Sequence, residues 1–310
     1  MVLAAGFGTR LWPLTAKLAK PAVPFLGKAL VTHCVDLLEQ HGINDIVVNT
    51  HYQPESVQRA LKDRNVSFSH ETEILGTAGA LRHAVNQGLL DPERPTLIIN
   101  GKLFTDINLS DAINQHQSSK AEITMVLRDN VNREAFREIL CEETTVLGFG
   151  KTRQPEGPQP LLFTGIHILS PKALKSIPQG NSDTIKDTYP PFLKRGEVHA
   201  IRDRSPYWWE FSTLQRYVDL HTQAHQKGLS PLNTIAENTQ ISPSSVLKNC
   251  VIWSQARIDE DCELDHVVVG EGVYLPPNTR ISHMIVIKKS LVDTIERGEV
   301  QGDYVFVPLA

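Results

Sequence analysis

The sequence predicts an α/β fold, with a mostly parallel sheet and helices on both of its faces, followed by a short parallel β-helix. Over residues 1 to 228, short apolar runs alternate with amphipathic stretches. Such alternation is typical of parallel strands joined by helical crossovers. Beyond that point, aliphatic residues recur every six positions in sets offset by 17 residues, which indicates a coiled stack of short strands. We therefore expect two domains, residues 1–228 and 229–310.

The first domain contains predicted elements in a Rossmann-like order. Apolar runs bounded by turn residues predict strands at Val2–Ala4, Asp45–Asn49, Val66–Ser69, Thr96–Asn100, Ala121–Arg128, Leu161–Leu169 and Val198–Ile201. Apolar residues at helical spacing predict helices at Leu30–His41, Pro54–Leu61, Ala78–Gln87 and Leu214–Gln226. Gly42 ends the first helix, and Pro54 stands at the start of the second.

The second domain is predicted from its aliphatic repeats. The repeated positions are Ile235, Ile241 and Leu247; Ile252, Ile258 and Leu264; and Val269, Leu275 and Ile281. A fourth set begins near Val286, and Asn, Asp, Gly and Pro occupy the corners. The alternative is a small antiparallel β-sandwich, which the regular spacing disfavours. Because a short stack has open ends, we expect a cap or self-association through the β-helix.

Composition restricts the classes of protein that this chain can represent. The net charge of −4 leaves no broad basic face for a nucleic-acid backbone. No apolar run approaches the ~20 residues that cross a membrane, and no signal peptide is recognised. The cysteines at 34, 141, 250 and 262 are far apart and form no CxxC pair. We expect reduced thiols in a cytoplasmic protein, with a zinc site as a minor alternative.

A glycine loop, Leu3–Pro24 (LAAGFGTRLWPLTAKLAKPAVP), follows the first predicted strand directly. Gly6 and Gly8 allow the backbone to approach a ligand closely, so that its N–H groups can point at phosphate oxygens. Arg10 and Lys20 bring two cations to the same loop. These features together indicate a phosphate-binding loop, and an unliganded turn is the alternative.

Two better-known glycine loops fit less well. A dinucleotide-binding loop needs a third glycine where this chain has Leu11, and an acid where it has Asn49. A P-loop is excluded because the GxxxxGK[ST] pattern does not occur.

The glycine loop and four later segments together resemble the sugar-1-phosphate nucleotidylyltransferases, or nucleotide-sugar pyrophosphorylases. The segments are ETEILGTAGAL (Glu71–Leu81), IINGKLFTDINL (Ile98–Leu109), FTGIHILSP (Phe163–Pro171) and YWWEFSTLQRY (Tyr207–Tyr217). Their order and spacing fit across nearly the full length, and the LGTAGAL form is most similar to mannose-1-phosphate guanylyltransferases. The resemblance implies that the tail is a left-handed β-helix of hexapeptide repeats.

The resemblance implies attack by a sugar-1-phosphate oxygen on the α-phosphorus of a nucleoside triphosphate, with release of pyrophosphate. Positioning and charge neutralisation do most of the work in such a displacement. By analogy, Arg10 holds the pyrophosphate and Lys20 neutralises charge between the reacting phosphates. The other implied contacts are with the nucleotide (Ala4, Ala5, Gly6, Gly8, Thr9, Gly76, Thr77, Asn100 and Gly101) and with the sugar phosphate (Lys151, Thr164 and Gly165). Thr77 is also a candidate N-cap of the helix predicted from Ala78.

Three positions depart from the family pattern. Lys102 stands where the family usually has an aspartate that binds catalytic Mg²⁺, and Glu210 where the second metal aspartate usually lies. Gly150 replaces a frequent glutamate. A lysine about 4 Å from a dication is repelled by roughly 8 kcal/mol at an effective dielectric of about 20. We therefore do not expect the implied Mg²⁺ in its usual place unless Lys102 swings away, and we expect Lys102 to act as a built-in catalytic cation that Glu210 holds. The alternative is a metal that arrives chelated by the triphosphate and is bound mainly by phosphate and Glu210.

Three functions remain open at this point. The first is an active nucleotidylyltransferase that uses a nucleoside triphosphate and a sugar-1-phosphate, with GTP and mannose-1-phosphate as the leading pair. The second is a catalytically weak or inactive nucleotide-sugar-binding regulatory subunit, which Lys102 and Gly150 favour. The third is acyl transfer by the β-helix, for which the tail offers only His266 and His283.

Overall fold

The computed structural model describes residues 1–131, 136–152 and 160–309, without the side chains of residues 151 and 152. The chain divides into two compact units that are interleaved in sequence. The first unit comprises Met1–Gly6 and Val31–Trp209, and the second comprises Phe7–Leu30 and Glu210–Ala310. The domain boundary at residue 228 stays a prediction. No helix among the described residues is long and apolar enough to cross a membrane.

Residues 1–228 carry most of the helices and the longer strands. The strands are β1 (Val2–Leu3), β2 (Pro24–Phe25), β3 (Lys28–Ala29), β4 (Val47–Thr50), β5 (Ser67–His70), β6 (Thr96–Asn100), β7 (Leu103–Thr105), β8 (Ile123–Asp129), β9 (Arg137–Glu142), β10 (Thr145–Thr152), β11 (Leu161–Leu169), β12 (Val198–Arg202) and β13 (Trp208–Glu210). The helices are α1 (Leu30–Gln40), α2 (Pro54–Ala60), α3 (Gly76–Asn86), α4 (Leu109–Ser118), α5 (Pro171–Lys175), α6 (Pro190–Leu193) and α7 (Leu214–Gln226). Every strand and helix predicted in this region is present, with ends shifted by two residues at most.

The main sheet of the first unit has nine strands in the order β5-β4-β1-β6-β11-β8-β12-β10-β9. Its first four strands are parallel, so the predicted α/β fold class is confirmed. The other half is mixed because β11 runs antiparallel to both β6 and β8, and β10 runs antiparallel to β12 and β9. The chain passes from β1 to β4 on one side and later returns to β6 on the other side. This change of direction creates a switch point at the carboxyl ends of β1 and β6, where α/β sheets bind ligands.

Buried aliphatic side chains explain why the central strands form. Val2 on β1 and Ile98 and Ile99 on β6 are fully buried, as expected for strands covered on both faces. Helix α3 contributes Leu81 and the small residue Ala84 to the same core cluster as Ile98. This packing fixes the strands that carry the switch point against α3.

The second unit contains the short strands of the tail. They are β14 (Thr234–Ile235), β15 (Gln240–Ile241), β16 (Val246–Lys248), β17 (Val251–Ile252), β18 (Arg257–Ile258), β19 (Glu263–Asp265), β20 (Val268–Val269), β21 (Tyr274–Leu275), β22 (Arg280–Ser282), β23 (Met284–Lys288), β24 (Glu299–Gln301) and β25 (Tyr304–Pro308). Strands one coil apart pair in parallel with the 17-residue offset, as Ile235 does with Ile252. Three such parallel ladders, beginning at β14, β15 and β16, are consistent with the predicted β-helix, whereas its handedness stays a prediction.

Corner residues and a terminal hairpin complete this stack. Asn249, His266 and His283, each 17 residues apart, all adopt positive φ values of 51° to 53° at one corner. The fourth set starts where the sequence predicts, since Val269 pairs with Val286. It does not form a further coil, because β25 pairs antiparallel with β23 and β24 pairs with β25. The hairpin thereby covers the edge that β23 would otherwise expose.

Candidate functional site

The candidate site residues fall in both compact units. The first unit holds Ala4, Ala5, Gly6, Gly76, Thr77, Asn100, Gly101, Lys102, Lys151, Thr164 and Gly165. The second unit holds Gly8, Thr9, Arg10, Lys20 and Glu210. The side chain of Lys151 lies outside the described part of the structure.

In the first unit, the carboxyl ends of β1 and β6 lie beside the middle of β11 at the switch point. The Gly101 N–H donates to Leu3 O at 2.9 Å, and a Cβ on Gly101 would lie 3.0 Å from that same oxygen. Gly165 has φ +82°, and a Cβ there would lie 2.4 Å from Asn100 Nδ2. Both glycines are therefore required for close approach. Asn100, Gly101 and Gly165 thus lie close together beside the start of the glycine loop, and both glycines are buried.

A buried hydrogen-bond network fixes the start of the glycine loop, and sequence reasoning did not assign it. The Ala4 N–H donates to Asn49 Oδ1 at 2.7 Å, and Asn49 Nδ2 donates to Glu71 Oε1 at 2.6 Å. The second carboxylate oxygen, Glu71 Oε2, accepts from the Leu75 N–H at 3.0 Å. Glu71 is only 2% exposed. One buried carboxylate thus joins the backbone after β1 to the backbone that enters α3.

Residues 180–184 contact the first turn of α3 and fix its backbone. Gly76 has φ +75°, and a Cβ there would lie 2.4 Å from Ser182 O. That oxygen accepts from the N–H groups of Ala78 and Gly79 at 2.9 and 3.2 Å. The N–H groups in the first turn of α3 are therefore paired with a carbonyl of a distant loop and not with a capping side chain.

Thr77 lies inside α3, so its expected role as the N-cap is wrong. The helix begins at Gly76 with Leu75 in the N-cap position. The Thr77 hydroxyl donates to Asp183 Oδ2 at 3.2 Å and accepts from the Thr184 N–H at 2.9 Å. These bonds tie α3 to the π-helical turn Thr184–Thr188.

Thr164 is turned into the sheet. It is fully buried, its hydroxyl donates to Val126 O at 2.7 Å, and its carbonyl accepts from Trp208 Nε1 at 2.8 Å. The pairing of β11 with β8 shifts register between Phe163 and His167, next to Gly165. The Thr164 side chain is therefore committed to contacts within the protein, whereas the Gly165 backbone lies at the irregularity in the ladder.

His167, on the same strand, is a packed core residue. It is 3% exposed, and its Nδ1 is hydrogen-bonded to the Tyr189 hydroxyl. Burial lowers the pKa of His167 to about 3, so the ring is neutral. The structure therefore places this histidine in the protein interior.

Lys102 lies between β6 and β7, directly after the switch-point residues Asn100 and Gly101. Its side chain is partly buried. The following strand β7 is positioned by Thr105, whose hydroxyl donates to Tyr207 O at 3.0 Å. A strand-to-strand turn this short limits where the lysine can reach. It therefore remains close to the carboxyl end of β6.

In the second unit, the glycine loop folds back on itself around Lys20. Gly8 has φ +69°, and a Cβ there would lie 2.6 Å from Lys20 Cβ and 3.3 Å from Thr15 Cγ2. The Thr15 hydroxyl donates to Gly8 O at 3.1 Å. Arg10 is exposed, whereas Lys20 is only 8% exposed. The absence of a side chain at Gly8 is what allows the buried lysine to pass beside the loop.

Distant residues of the same unit hold this loop in place. The Tyr217 hydroxyl donates to Pro24 O at 2.6 Å, and Arg297 donates to Trp12 O at 2.7 Å. Lys17 forms an ion pair with Asp293 at 2.6 Å on the surface. The loop that carries Arg10 and Lys20 is thus anchored by α7 and by the segment before β24.

Glu210 is the last of the candidate residues and the candidate ligand of a metal ion. Glu210 is 6% exposed, and its backbone oxygen accepts from Arg216 Nε at 2.7 Å. Among the described residues, no group of three or more His, Cys, Asp or Glu side chains is placed to hold a metal ion. All four cysteines are free thiols.

Comparisons with known proteins agree with the resemblance. The profile of the family described as Nucleotidyl transferase matches residues 1–227. The chain is 30% identical over 268 residues to the mannose-1-phosphate guanyltransferase of Schizosaccharomyces pombe, with 81% of this chain and 73% of that protein covered. It is 24% identical over 298 residues to probable mannose-1-phosphate guanylyltransferase 2 of Oryza sativa (93% and 81% covered). It is 25% identical over 301 residues to mannose-1-phosphate guanylyltransferase 1 of Arabidopsis thaliana (93% and 81% covered).

Proposed function

Because the chain belongs to the nucleotidyl transferase family and is a sugar-1-phosphate nucleotidylyltransferase, we propose that its substrates are GTP and mannose-1-phosphate. An oxygen of the sugar phosphate bonds to the α-phosphorus of GTP while the bond from that phosphorus to pyrophosphate breaks. The products are GDP-mannose and pyrophosphate. The observation that carries this choice of substrates is the similarity to three mannose-1-phosphate guanylyltransferases over 81% to 93% of the chain.

We assign the candidate residues to this reaction as follows. The backbone from Ala4 to Gly6, with Gly8 and Thr9, cradles the phosphates, and Gly76, Thr77, Asn100 and Gly101 lie against the nucleoside. Arg10 holds the leaving pyrophosphate, and its exposure supports this role. Lys20, buried beside Gly8, supplies a fixed positive charge near the reacting phosphates. Lys151 and the Thr164–Gly165 backbone are assigned to the sugar phosphate.

Members of this family generally use a divalent metal. The residues of this chain do not fit a metal ion held mainly by the protein. Lys102 presents a cation where a carboxylate is expected, and Glu210 is the one remaining acidic candidate. We therefore propose that Lys102 offsets part of the phosphate charge itself, with Glu210 as its counter-ion.

A regulatory role is the second candidate, and Lys102 is the observation that favours it. A lysine cannot coordinate oxygens from several directions as Mg²⁺ does. The chain could therefore bind a nucleotide-sugar firmly and turn it over slowly. In that case it would act as a subunit of an assembly whose other subunits carry the activity.

Pyrophosphate release with GTP and mannose-1-phosphate tests these proposals, measured once with Mg²⁺ and once with EDTA. Other nucleoside triphosphates and sugar-1-phosphates run alongside to test the choice of substrates. Turnover that survives EDTA supports the role of Lys102, whereas turnover that requires Mg²⁺ contradicts it. If no pair of substrates turns over and GDP-mannose binds tightly, the regulatory alternative replaces the enzyme.

Self-association and location are further proposals. The strands β14, β15 and β16 form the first coil of the stack and leave Ile235 and Val246 exposed at 48% and 63%. An open coil edge with apolar side chains is a ready interface, so we propose a homo-oligomer formed through the β-helix. Light scattering of wild type and an Ile235→Lys/Val246→Lys variant tests this. The cytoplasmic location stays a prediction.

A further inference from the structure

Helix α1 contacts the turn that carries Lys102. Only Gly101 and Lys102 lie between the end of β6 and the start of β7. The thiol of Cys34, on α1, is a shared donor to the two carbonyl oxygens on either side of this turn. It lies 3.5 Å from Asn100 O and 3.4 Å from Leu103 O. One side chain therefore connects the residue before the turn to the residue after it.

The Cys34 thiol is suited to donate a hydrogen bond and unsuited to react. It is only 1% exposed, and burial raises its pKa to about 12, so it keeps its proton at ordinary pH. A nucleophile or a metal ligand would have to be a thiolate, and it would have to be reached from solvent. The role of this thiol therefore lies in the backbone that it contacts.

Two further contacts fix the same turn. The ring of His33, next to Cys34 on α1, packs edge-on against the ring of Phe104 with centroids 4.9 Å apart. On the side of β1, the Gly101 N–H donates to Leu3 O at 2.9 Å. The backbone around Lys102 is thus held by two consecutive residues of α1 and by the end of β1.

Cys250 makes the same kind of contact in a different place. Its thiol lies 3.3 Å from Lys248 O and 3.4 Å from Leu264 O, within the coil stack of the second unit. Like Cys34, it is 1% exposed. Neither of its two acceptor residues adjoins a candidate site residue, whereas the acceptors of Cys34 enclose Lys102. The chain therefore contains a matched control for the contact of Cys34.

We propose that Cys34 is a positioning residue, which fixes the turn between β6 and β7 so that the ammonium group of Lys102 meets the nucleotide phosphates. The inference rests on the proposed role of Lys102. The attraction between an ammonium and a phosphate falls with their separation, so a turn that tilts away would offset less charge. A charge held in place beforehand needs no reorganisation during the reaction. Without the thiol donor, Lys102 would spend less time at the phosphates.

Acetylation of lysines by an amine-selective reagent tests the proposal on the full-length protein, with and without GTP, in EDTA. Peptide mass spectrometry gives the rate at each lysine, and no turnover is needed. GTP should slow acetylation of Lys102 in wild type. In Cys34→Val, which keeps the bulk and loses the donor, this protection should fall roughly threefold to tenfold, as expected for one hydrogen bond. Cys34→Ser, which restores a donor, should regain most of it. The exposed Lys120 should react equally with and without GTP.

Cys250→Val separates positioning from a purely structural role. Both valine variants should lower the melting temperature to a similar extent, but only Cys34→Val should change the protection of Lys102. In pyrophosphate release with EDTA, Cys34→Val should lower kcat and leave the KM for GTP within about twofold of wild type. In a Lys102→Ala background it should lower kcat no further. Cys34→Ala is the second variant if valine prevents folding.

Three results would overturn the proposal. Equal protection of Lys102 in wild type and Cys34→Val would overturn the positioning role alone. No protection of Lys102 in wild type would overturn the proposed role of Lys102 and the positioning role with it. An equal loss of protection in Cys250→Val would mean that general destabilisation moves Lys102. If no substrate pair turns over, the acetylation rates still decide between these results.

Discussion

At the scale of single residues, two positions decide how the phosphate-binding part of the chain works. Lys102 brings a positive charge where the family pattern has an aspartate, and only Gly101 separates it from the end of β6. Gly8 has no side chain, and this leaves room for Lys20 to pass beside the loop. Lys102 determines which charge is present after β6, whereas Gly8 determines where the charge of Lys20 can lie.

Replacing Lys102 with aspartate should convert the reaction to dependence on Mg²⁺. With EDTA, Lys102→Asp should release pyrophosphate roughly 100-fold more slowly than wild type, the usual cost of removing one preorganised electrostatic group. Added Mg²⁺ should restore much of the rate, since a carboxylate can bind the ion. Initial rates at saturating substrates measure this, with Lys120→Asp as a surface control. A Lys102→Asp variant that stays inactive in Mg²⁺ would contradict the proposed exchange of charges.

Adding one methyl group at Gly8 should damage both stability and turnover. Gly8→Ala forces a non-glycine residue into positive φ and brings its Cβ to 2.6 Å from Lys20 Cβ. We expect a loss of about 1–3 kcal/mol in the free energy of unfolding, measured in urea, and a lower turnover because Lys20 is displaced. Gly148→Ala is the control, because a Cβ there meets nothing within 4 Å. Equal stability of the two variants would show that the glycine loop rearranges freely.

At the scale of elements, the carboxylate of Glu71 connects three pieces of the first unit. It binds the side chain that holds Ala4 after β1, and it also binds the backbone that enters α3. Nucleotide contacts are proposed at both ends of this connection. The network therefore acts as a positioning device for the backbone, and it touches no substrate in the proposed mechanism.

Removing the charge of Glu71 should loosen this connection without removing a catalytic group. Glu71→Gln replaces one acceptor oxygen with an amide nitrogen, so either the Leu75 N–H or the Asn49 amide loses its partner. We expect a loss of about 1.5–3 kcal/mol in the free energy of unfolding. The KM for GTP should rise more than kcat falls, as steady-state rates would show. Glu73→Gln, at an exposed position, should change neither quantity. A purely structural role would lower stability and leave the KM unchanged.

At the scale of the whole molecule, buried histidines make stability depend on pH. The folded-state pKa of His167 is about 3, mainly because of burial, against an ordinary value of 6.5. The unfolded chain therefore binds this proton more readily than the folded protein between these values. Stability contributed by neutral His167 is fully present above pH 6.5 and is lost as the pH falls towards 3.

Urea unfolding between pH 7.5 and pH 5 tests this linkage. His167 alone should lower the free energy of unfolding by about 2 kcal/mol over that interval. His167→Gln should reduce the pH slope by this amount, whatever its effect on stability at pH 7.5. His199→Gln, at a partly buried position on β12, is the control. An unchanged slope in His167→Gln would mean that the ring takes up its proton while folded.

Local patterns in the sequence determined most of the fold. Strand β11 and helix α7 have the same ends in the sequence prediction and in the structure, and the 17-residue repeat of Ile235, Ile252 and Val269 gives the register of the coil stack. Such periodicities are local, because the apolar or polar character of each residue indicates whether that position is buried. The short strands β7 and β13 and the helix α4 were not predicted, because their apolar residues are too few to define a period.

The sequence also determined which residue types stand at the candidate site, including the glycines, Arg10, Lys20 and the unexpected Lys102. Only the tertiary structure decided that Glu71 holds Ala4 through Asn49 and that Ser182 closes the first turn of α3. The partners are 22 to 104 residues apart along the chain, or they belong to loops without a period of their own. A hydrogen bond depends on distance and direction in space, and no local pattern of residues encodes either one.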